Sequence, residues 1–165
     1  MGRRQFIFLC ESDGKCQSDY LYISRSLRYA YDLAGNKLSP VFLAGKGNYD
    51  KKEKEILLLK KKYQGESLVF VAIDLDKDNN ENKEKNKKVE DYCKKNGYHF
   101  VWFHLDVEDV FLGKRVPQEE KGKKAKSYDP RKTPFDEKNL KSTDRKRHAS
   151  NLFAVMDEFL SPQKN

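Results

Sequence analysis

Two continuous apolar runs in the chain each stop at a carboxylate. Phe6-Ile7-Phe8-Leu9-Cys10 runs into Glu11, and Leu68-Val69-Phe70-Val71-Ala72-Ile73 runs into Asp74-Leu75-Asp76. Runs of this kind, without polar alternation, fit strands covered on both faces, the situation of a parallel sheet. Ligands of open α/β sheets sit in the crevice beyond the carboxyl ends of the strands. Glu11, Asp74 and Asp76 are therefore predicted to share the functional edge. Residues two apart in an extended chain point the same way, so Asp74 and Asp76 are expected to converge. Crowded carboxylates repel unless they are protonated or neutralised. The simplest neutraliser is a hard divalent cation, Mg²⁺ or Mn²⁺, which takes oxygen ligands and keeps waters for a substrate phosphate.

The rest of the chain supplies the alternation that a parallel sheet needs. After a first strand over residues 5–10, Asp13-Gly14 makes a turn and residues 15–33 read as a helix with Tyr20, Ile23, Leu27 and Ala30 on one face, ended by Gly35-Asn36. Val41-Phe42-Leu43-Ala44 is a second short strand, and Asn48 or Asp50 is placed to cap a helix carrying Ile56 to Leu59. A third strand over 67–73, a Lys/Glu-rich helix over 82–95, a fourth strand over 98–104 and a short helix capped by Asp106 complete the core. An amphipathic helix over 144–160, burying Leu152, Phe153, Val155, Met156 and Phe159, closes the chain. The β-α-β-α-β-α-β-α order predicts an α/β sandwich with a four-stranded, mostly parallel sheet flanked by helices. Residues 1–112 form the core of this reading, 113–142 a basic loop and 143–165 a C-terminal helix packed on the core.

Charge is unevenly placed. The net charge is +8, yet residues 114–147 hold 13 Lys and Arg against 6 Asp and Glu, and the remainder is nearly balanced at 21 against 20. With three prolines and few apolar residues, 113–142 is expected to be a long loop, disordered in part without a partner. A concentrated basic segment beside a metal-binding edge points to a polyanion, DNA or RNA above all; a merely solubilising loop is the other reading of the same charge. Lys121, Lys123, Lys124, Lys126, Arg131 and Lys132 are the predicted backbone contacts, with Tyr128 and Phe135 as stacking aromatics. Arg145 and Arg147 open the last predicted helix with positive charge, against its dipole, a cost that a phosphate chain would relieve. The three cysteines, Cys10, Cys16 and Cys93, are odd in number and lack metal-ligand spacing, which fits a reducing cytoplasm. No stretch approaches a membrane span, and no signal peptide precedes the first strand.

A Glu closing strand one and an Asp-x-Asp closing a later strand of a small βα sandwich resemble the Toprim domain, over roughly residues 5–112. Within that group, Cys10-Glu11-Ser12-Asp13-Gly14 followed by a Tyr20-containing helix, with Glu108 on a short helix after the fourth strand, is similar to the RloB-like proteins of bacterial defence loci. The resemblance implies a Toprim-like sandwich and metal-dependent phosphodiester cleavage or nucleotidyl transfer. Asp74 and Asp76 would hold Mg²⁺ or Mn²⁺, and Glu11 would act as general base or further ligand. It also implies a defence-system partner protein. The chain departs from the Toprim pattern at Ser12, where many members have Gly, and at Lys77-Asp78-Asn79-Asn80 after the Asp-x-Asp. Those departures argue against topoisomerase and primase chemistry and keep open a non-catalytic module that binds nucleic acid or a partner.

Further residues carry two readings each. Asp78 extends the series to Asp-x-Asp-x-Asp and is either a metal ligand or a solvated loop acid. The calcium-loop spacing fails, because Asn79 stands where an EF-hand needs Gly. Asp106 and Glu108 are helix-capping acids or second-metal ligands. His104 is a proton shuttle or an edge histidine. Lys46, in Gly45-Lys46-Gly47-Asn48, and Lys15, beside Glu11, are phosphate contacts or solvated turn residues.

Overall fold

The computed structural model describes residues 2–164. Its main sheet is parallel throughout and has the order β3-β1-β4-β5, built from β1 (Arg4–Cys10), β3 (Lys37–Phe42), β4 (Glu66–Asp74) and β5 (His99–Phe103). α1 (Ser18–Ala30) connects β1 to β3, α2 (Glu53–Lys62) carries the chain from β3 back across β1 to β4, and α3 (Asn80–Asn96) joins β4 to β5. The direction of winding reverses between β1 and β4, which makes their C-terminal ends the topological switch point.

Apolar side chains alternate to the two faces. Phe6, Phe8, Cys10, Phe70, Ala72, Val101 and Phe103 pack under α1, through Tyr22, Ile23 and Leu27. Ile7, Leu9, Val69, Val71 and Ile73 pack under Ile56 of α2 and Val89 and Cys93 of α3. Both faces are covered, which is why these strands read as unbroken apolar runs. α2 buries only Ile56 fully; Leu57 and Leu58 are 52% and 54% exposed. Neither Asn48 nor Asp50 caps α2: the Asn48 amide instead donates to the carbonyls of Leu43 and Ala44, tightening a short 3-10 turn (Lys46–Asn48).

The two segments read as loop and tail differ from expectation. Residues 113–142 hold α5 (Gln118–Ser127) and α6 (Glu137–Leu140), following α4 (Val107–Leu112). Ala125, Tyr128 and Leu140 are buried, Tyr128 lying 4.8 Å from Tyr22. α5 is anchored from a distant part of the chain: the Arg25 guanidinium donates to the carbonyls of Ala125, Lys126 and Tyr128 at 2.8–2.9 Å, satisfying the last turn of the helix with a cation. The basic segment is thus part of the core rather than a separable loop.

In place of a helix over 144–160, only α7 (Leu152–Met156) is helical, and Arg145 to His148 lie outside it. The reason is the free edge of β5. Asn151 lies along it, with Oδ1 accepting from the Trp102 amide and Nδ2 donating to the Phe100 carbonyl, each at 2.9 Å, while His104 N donates to Ala149 O. A side-chain amide thereby supplies the ladder bonds of a missing strand and blunts an edge that would otherwise be free to pair. Pro40 serves the opposite edge strand, where a missing N–H costs nothing. A two-residue antiparallel pairing of β2 (Tyr31–Asp32) with β6 (Ser161–Pro162) fastens the C-terminal segment beside α1.

Asn151→Leu keeps the bulk but strips both bonds from backbone groups with no replacement partner. It is expected to lower unfolding free energy in urea by about 2 kcal/mol. A change below about 0.5 kcal/mol would mean that the segment does not depend on this clasp.

Candidate metal and phosphate site

β1 and β4 end side by side, Cys10 opposite Ala72, and the acids that follow them are in direct contact. Glu11 Oε1 accepts a hydrogen bond from the Asp74 amide at 2.9 Å. Asp74 is the last residue of β4 and shares the face of Phe70 and Ala72, so it turns toward α1 and α4. The chain then leaves the strand. Asp76 has φ +60°, in the left-handed region that Asp tolerates, and it bridges to Leu105, also left-handed at φ +58°. Asp76 N donates to Leu105 O at 2.9 Å. Asp76 therefore does not continue the extended run of β4, although it lines the same cavity as Asp74. Asp76 instead meets Lys46, whose Nζ stands 2.7 Å from Asp76 Oδ2, 2.8 Å from Asn86 Oδ1 and 3.9 Å from Glu11 Oε1. Asn86 is buried on α3 and its amide holds the Leu75 carbonyl.

Beside Glu11 and Asp74 opens a cavity of about 320 Å³ lined by six acids, Glu11, Asp13, Asp19, Asp74, Asp76 and Glu108, and by one base, Lys121. Asp19 and Glu108 are buried, at 5% and 1% exposure. Asp19 accepts from the Ser12 hydroxyl, the Ser12 amide and the Tyr20 amide. Lys121 Nζ lies 3.4 Å from both Asp106 and Glu108, yet Glu108 Oε2 has no hydrogen bond from any described residue. Asp106 caps α4 by accepting from Asp109 N. The residues lining the cavity include first-turn residues of α1, α4 and α5, so the positive ends of three helix dipoles face the acids.

These groups are short of positive charge. Burial pushes the Glu11 carboxyl up to about 8, Lys46 opposing and Asp76 adding to the shift. Asp74 is raised well above the carboxylate range, by burial first and then by the charges of Glu11, Asp19 and Glu108. Asp19 and Glu108 are raised by burial, against the hydrogen bonds of Ser12 and the charge of Lys121 respectively. For Lys121, burial works against its charge, but Glu108, Asp106 and Asp74 outweigh it and hold the ammonium form.

Among the described residues no three His, Cys, Asp or Glu side chains converge as a ready ligand set. The donor chemistry nevertheless fits a hard divalent cation: the lining is rich in carboxylate oxygens, Glu108 Oε2 is buried with only the 3.4 Å ion pair to Lys121, and burial above all holds Glu11 and Asp74 toward their neutral forms. Lys46 supplies positive charge between Glu11 and Asp76.

The other predicted site residues are scattered. Asp78 is 83% exposed and paired with Lys83, away from Glu11 and Asp74. His104 lines a separate cleft beside Lys83 and Arg145; its Nδ1 has no hydrogen bond among the described residues and lies 3.8 Å from Asp109, which is taken by His148 at 3.1 Å. Lys121 faces the acids rather than an external backbone, Arg131 is held by Asp129 at 2.9 Å, and Arg145 is held by Glu90 at 3.2 Å over the faces of Phe100 and Trp102. Lys15, Lys123, Lys124, Lys126, Lys132 and Arg147 are exposed and make no ion pair among the described residues. The two expected stacking aromatics are occupied: Tyr128 is buried, and Phe135 packs edge-on to Phe111 and Phe153. Asp19 and Asn86 are site residues with no place in the motif. Ser18-Asp19 at a helix start reads simply as an acid favouring the dipole, and Asn86 is one polar residue within a polar helix.

Compared with models of known protein families, with curated proteins and with solved structures, the chain matches none.

The raised Glu11 carboxyl gives stability a pH dependence of definite sign. Folded, it keeps its proton up to about pH 8; unfolded, it releases it near 4.3. The folded state therefore binds more protons across that window, and stability falls as pH rises through it. In EDTA the Tm is expected to decline from pH 5 to pH 8. Glu11→Gln keeps an Oε1 for the Asp74 amide but cannot ionise; it should flatten the decline, raising Tm at pH 8 by about 2–4 °C for each kcal/mol recovered. A profile parallel to that of the unsubstituted protein would remove Glu11 from the buried acids.

Proposed function

We propose that this protein is a metal-dependent enzyme that cleaves phosphodiester bonds in nucleic acid, with its site at the C-terminal ends of β1 and β4. The observation that carries the reading is the junction of Glu11 and Asp74 at the switch point, inside a cavity holding six acids on a chain whose net charge is +8. An acidic hollow on a basic protein is what a site must be if it holds cations and receives a polyanion.

Glu11 and Asp74 would hold Mg²⁺ or Mn²⁺, with Asp76 or Glu108 completing the set. When bound, the ion supplies Lewis-acid polarisation of a phosphoryl oxygen and a nucleophilic water. The chain's own groups have separate tasks. Lys46, nearly buried and held by Asn86, is placed to give a phosphate oxygen the hydrogen bond it now gives Asp76. Lys121 balances Asp106 and Glu108 and faces the six-acid cavity from α5, whereas Lys46 lines the neighbouring one with Glu11 and Asp76. Asp19, fixed by Ser12, holds the Glu11-Ser12 turn against α1. The likeness to Toprim and RloB-like proteins, resting on Glu11, Asp74, Asp76 and Glu108, supports the same chemistry.

A second reading has its own observation. Lys46 spans Glu11 and Asp76, and no ready ligand set of three stands among the described residues. A non-catalytic module, in which lysine permanently replaces the cation, accounts for both.

The two readings separate on metal. With millimolar Mg²⁺ or Mn²⁺ the enzyme reading expects a rise in Tm, because an ion that binds only the folded state stabilises by mass action; at 100 times Kd the gain is about 2.7 kcal/mol. Asp74→Asn should abolish that rise. Cleavage of labelled DNA and RNA with Mn²⁺ should fall by on the order of 100-fold or more in Asp74→Asn. A Tm indifferent to both ions, or cleavage that survives Asp74→Asn and Glu11→Gln, would leave the module.

A further inference from the structure

The face formed by the far ends of α1 and α5 carries a second polar feature, remote from the acids. A groove of about 510 Å³ is lined by five cations, Arg25, Arg28, Lys126, Arg131 and Lys132, against one carboxylate, Asp129. That carboxylate is consumed locally, since Arg131 Nε and Nη2 grip it at 3.0 and 2.9 Å. Arg25 is spent on the carbonyls that end α5. Arg28, Lys126 and Lys132 are exposed and make no close ion pair among the described residues, Lys132 acting on Asp129 only through its charge. Asp129 is the one acid in the lining and is shared between the grip of Arg131 and the charge of Lys132, so five cations face a single carboxylate and leave a positive field that an external anion would relieve.

The groove also holds Tyr29, half exposed and one of the three large exposed apolar side chains of the described chain. Its ring is braced edge-on against Phe135, centroids 6.0 Å apart at 88°. A braced, exposed aromatic inside a ring of cations is the pairing that single-stranded nucleic acid requires: bases stack on the ring while phosphates meet the cations. An acidic peptide would satisfy the cations but leave the aromatic without a role.

The groove is placed to serve the acidic cavity. Asp19 and Lys121 line the cavity from the first turns of α1 and α5, whereas Arg28 and Lys126 line the groove from their last turns. The two helices thus run side by side in the same direction. Nine residues separate Asp19 from Arg28, about 14 Å along the helix axis. A strand lying on this ridge passes Lys123 and Lys124, both exposed and without an ion pair among the described residues.

We infer that the Arg28–Tyr29–Lys126–Lys132 groove is a docking site for single-stranded nucleic acid, which holds one base on Tyr29 and leads the strand toward the acids. The inference rests on the proposed function for the fate of that strand, but binding at the groove needs no metal.

The test is fluorescence anisotropy on the full chain in EDTA, with labelled oligo(dT) and oligo(U) of about twelve nucleotides and a duplex of equal length. Arg28→Gln/Lys132→Gln should weaken single-strand binding about tenfold at 50 mM salt and make the salt slope shallower by about 1.4, two contacts at about 0.7 each. Tyr29→Ala should weaken single-strand binding roughly 5- to 150-fold with the salt slope unchanged. Tyr29→Trp should restore it, which separates stacking from the mere support of Phe135. Unchanged affinity in the double variant overturns the inference. So do failure of Tyr29→Trp to rescue, equal losses on duplex and single strand, and competition by poly-glutamate as strong as by oligonucleotide. Groove-dependent binding without Mn²⁺-dependent cleavage keeps this inference and removes the enzyme reading; cleavage with binding indifferent to the double variant does the reverse.

Discussion

The hydrogen bond from the Asp74 amide to Glu11 Oε1 joins the two strands at the one place where the winding of the sheet reverses. It exists because both apolar runs stop at the same level: Cys10 and Ala72 are in register, and each chain turns polar within two residues. From that contact follows the rest of the edge. Glu11 is drawn under cover, Asp74 is aimed at α1 and α4, and the next turn places Asp76 against Leu105 and Lys46. Burying acids this close is costly unless protons, lysines or a cation answer them. The fold answers partly, with Lys46, Lys121 and three helix N-termini, and the remainder is expressed as raised carboxyl titration.

Such a site is kept in place by distant reinforcement. Asn151 closes the β5 edge along Phe100 and Trp102, and Asp76 bridges to Leu105 just past the end of that strand. Arg25 ties the end of α5 to α1, which sets Lys121 over Glu108. The C-terminal third is therefore structural support for the sheet edge, even though its composition is basic and polar.

What was legible in the sequence is what depends on local pattern. Unbroken apolar runs located β1 and β4, whereas the run over 41–44 met only the end of β3 (Lys37–Phe42); their alternation with helices pointed to a parallel sheet, and the strand-exit acids lie at the ends of β1 and β4. Asp106 was recognised as a cap because its signal lies within three residues. What depends on long-range contacts was hidden. The α5 helix has too few apolar residues to announce itself, and is stabilised by Arg25, a hundred residues earlier in the chain. Val155 and Phe159 have helical spacing, yet the segment before them is spent clasping β5. The direction of Asp76 hinges on a left-handed backbone set by its bridge to Leu105, which no period-two rule anticipates. Asp19 reaches the cavity only because the turn after Glu11 folds back through Ser12. Cations and an exposed aromatic meet at the ends of α1 and α5 from positions a hundred residues apart, so Tyr29 had no visible partner.

The proposed cation site lies among the acids at the ends of β1 and β4, with Lys46 as its partial substitute. Anomalous diffraction from crystals grown with Mn²⁺ tests it most directly. A manganese peak is expected within ligand distance, about 2.0–2.2 Å, of carboxylate oxygens of Glu11 and Asp74, and it should be lost in Asp74→Asn. A structure at the same Mn²⁺ concentration with no peak at these acids, and with Lys46 still spanning Glu11 and Asp76, would contradict it.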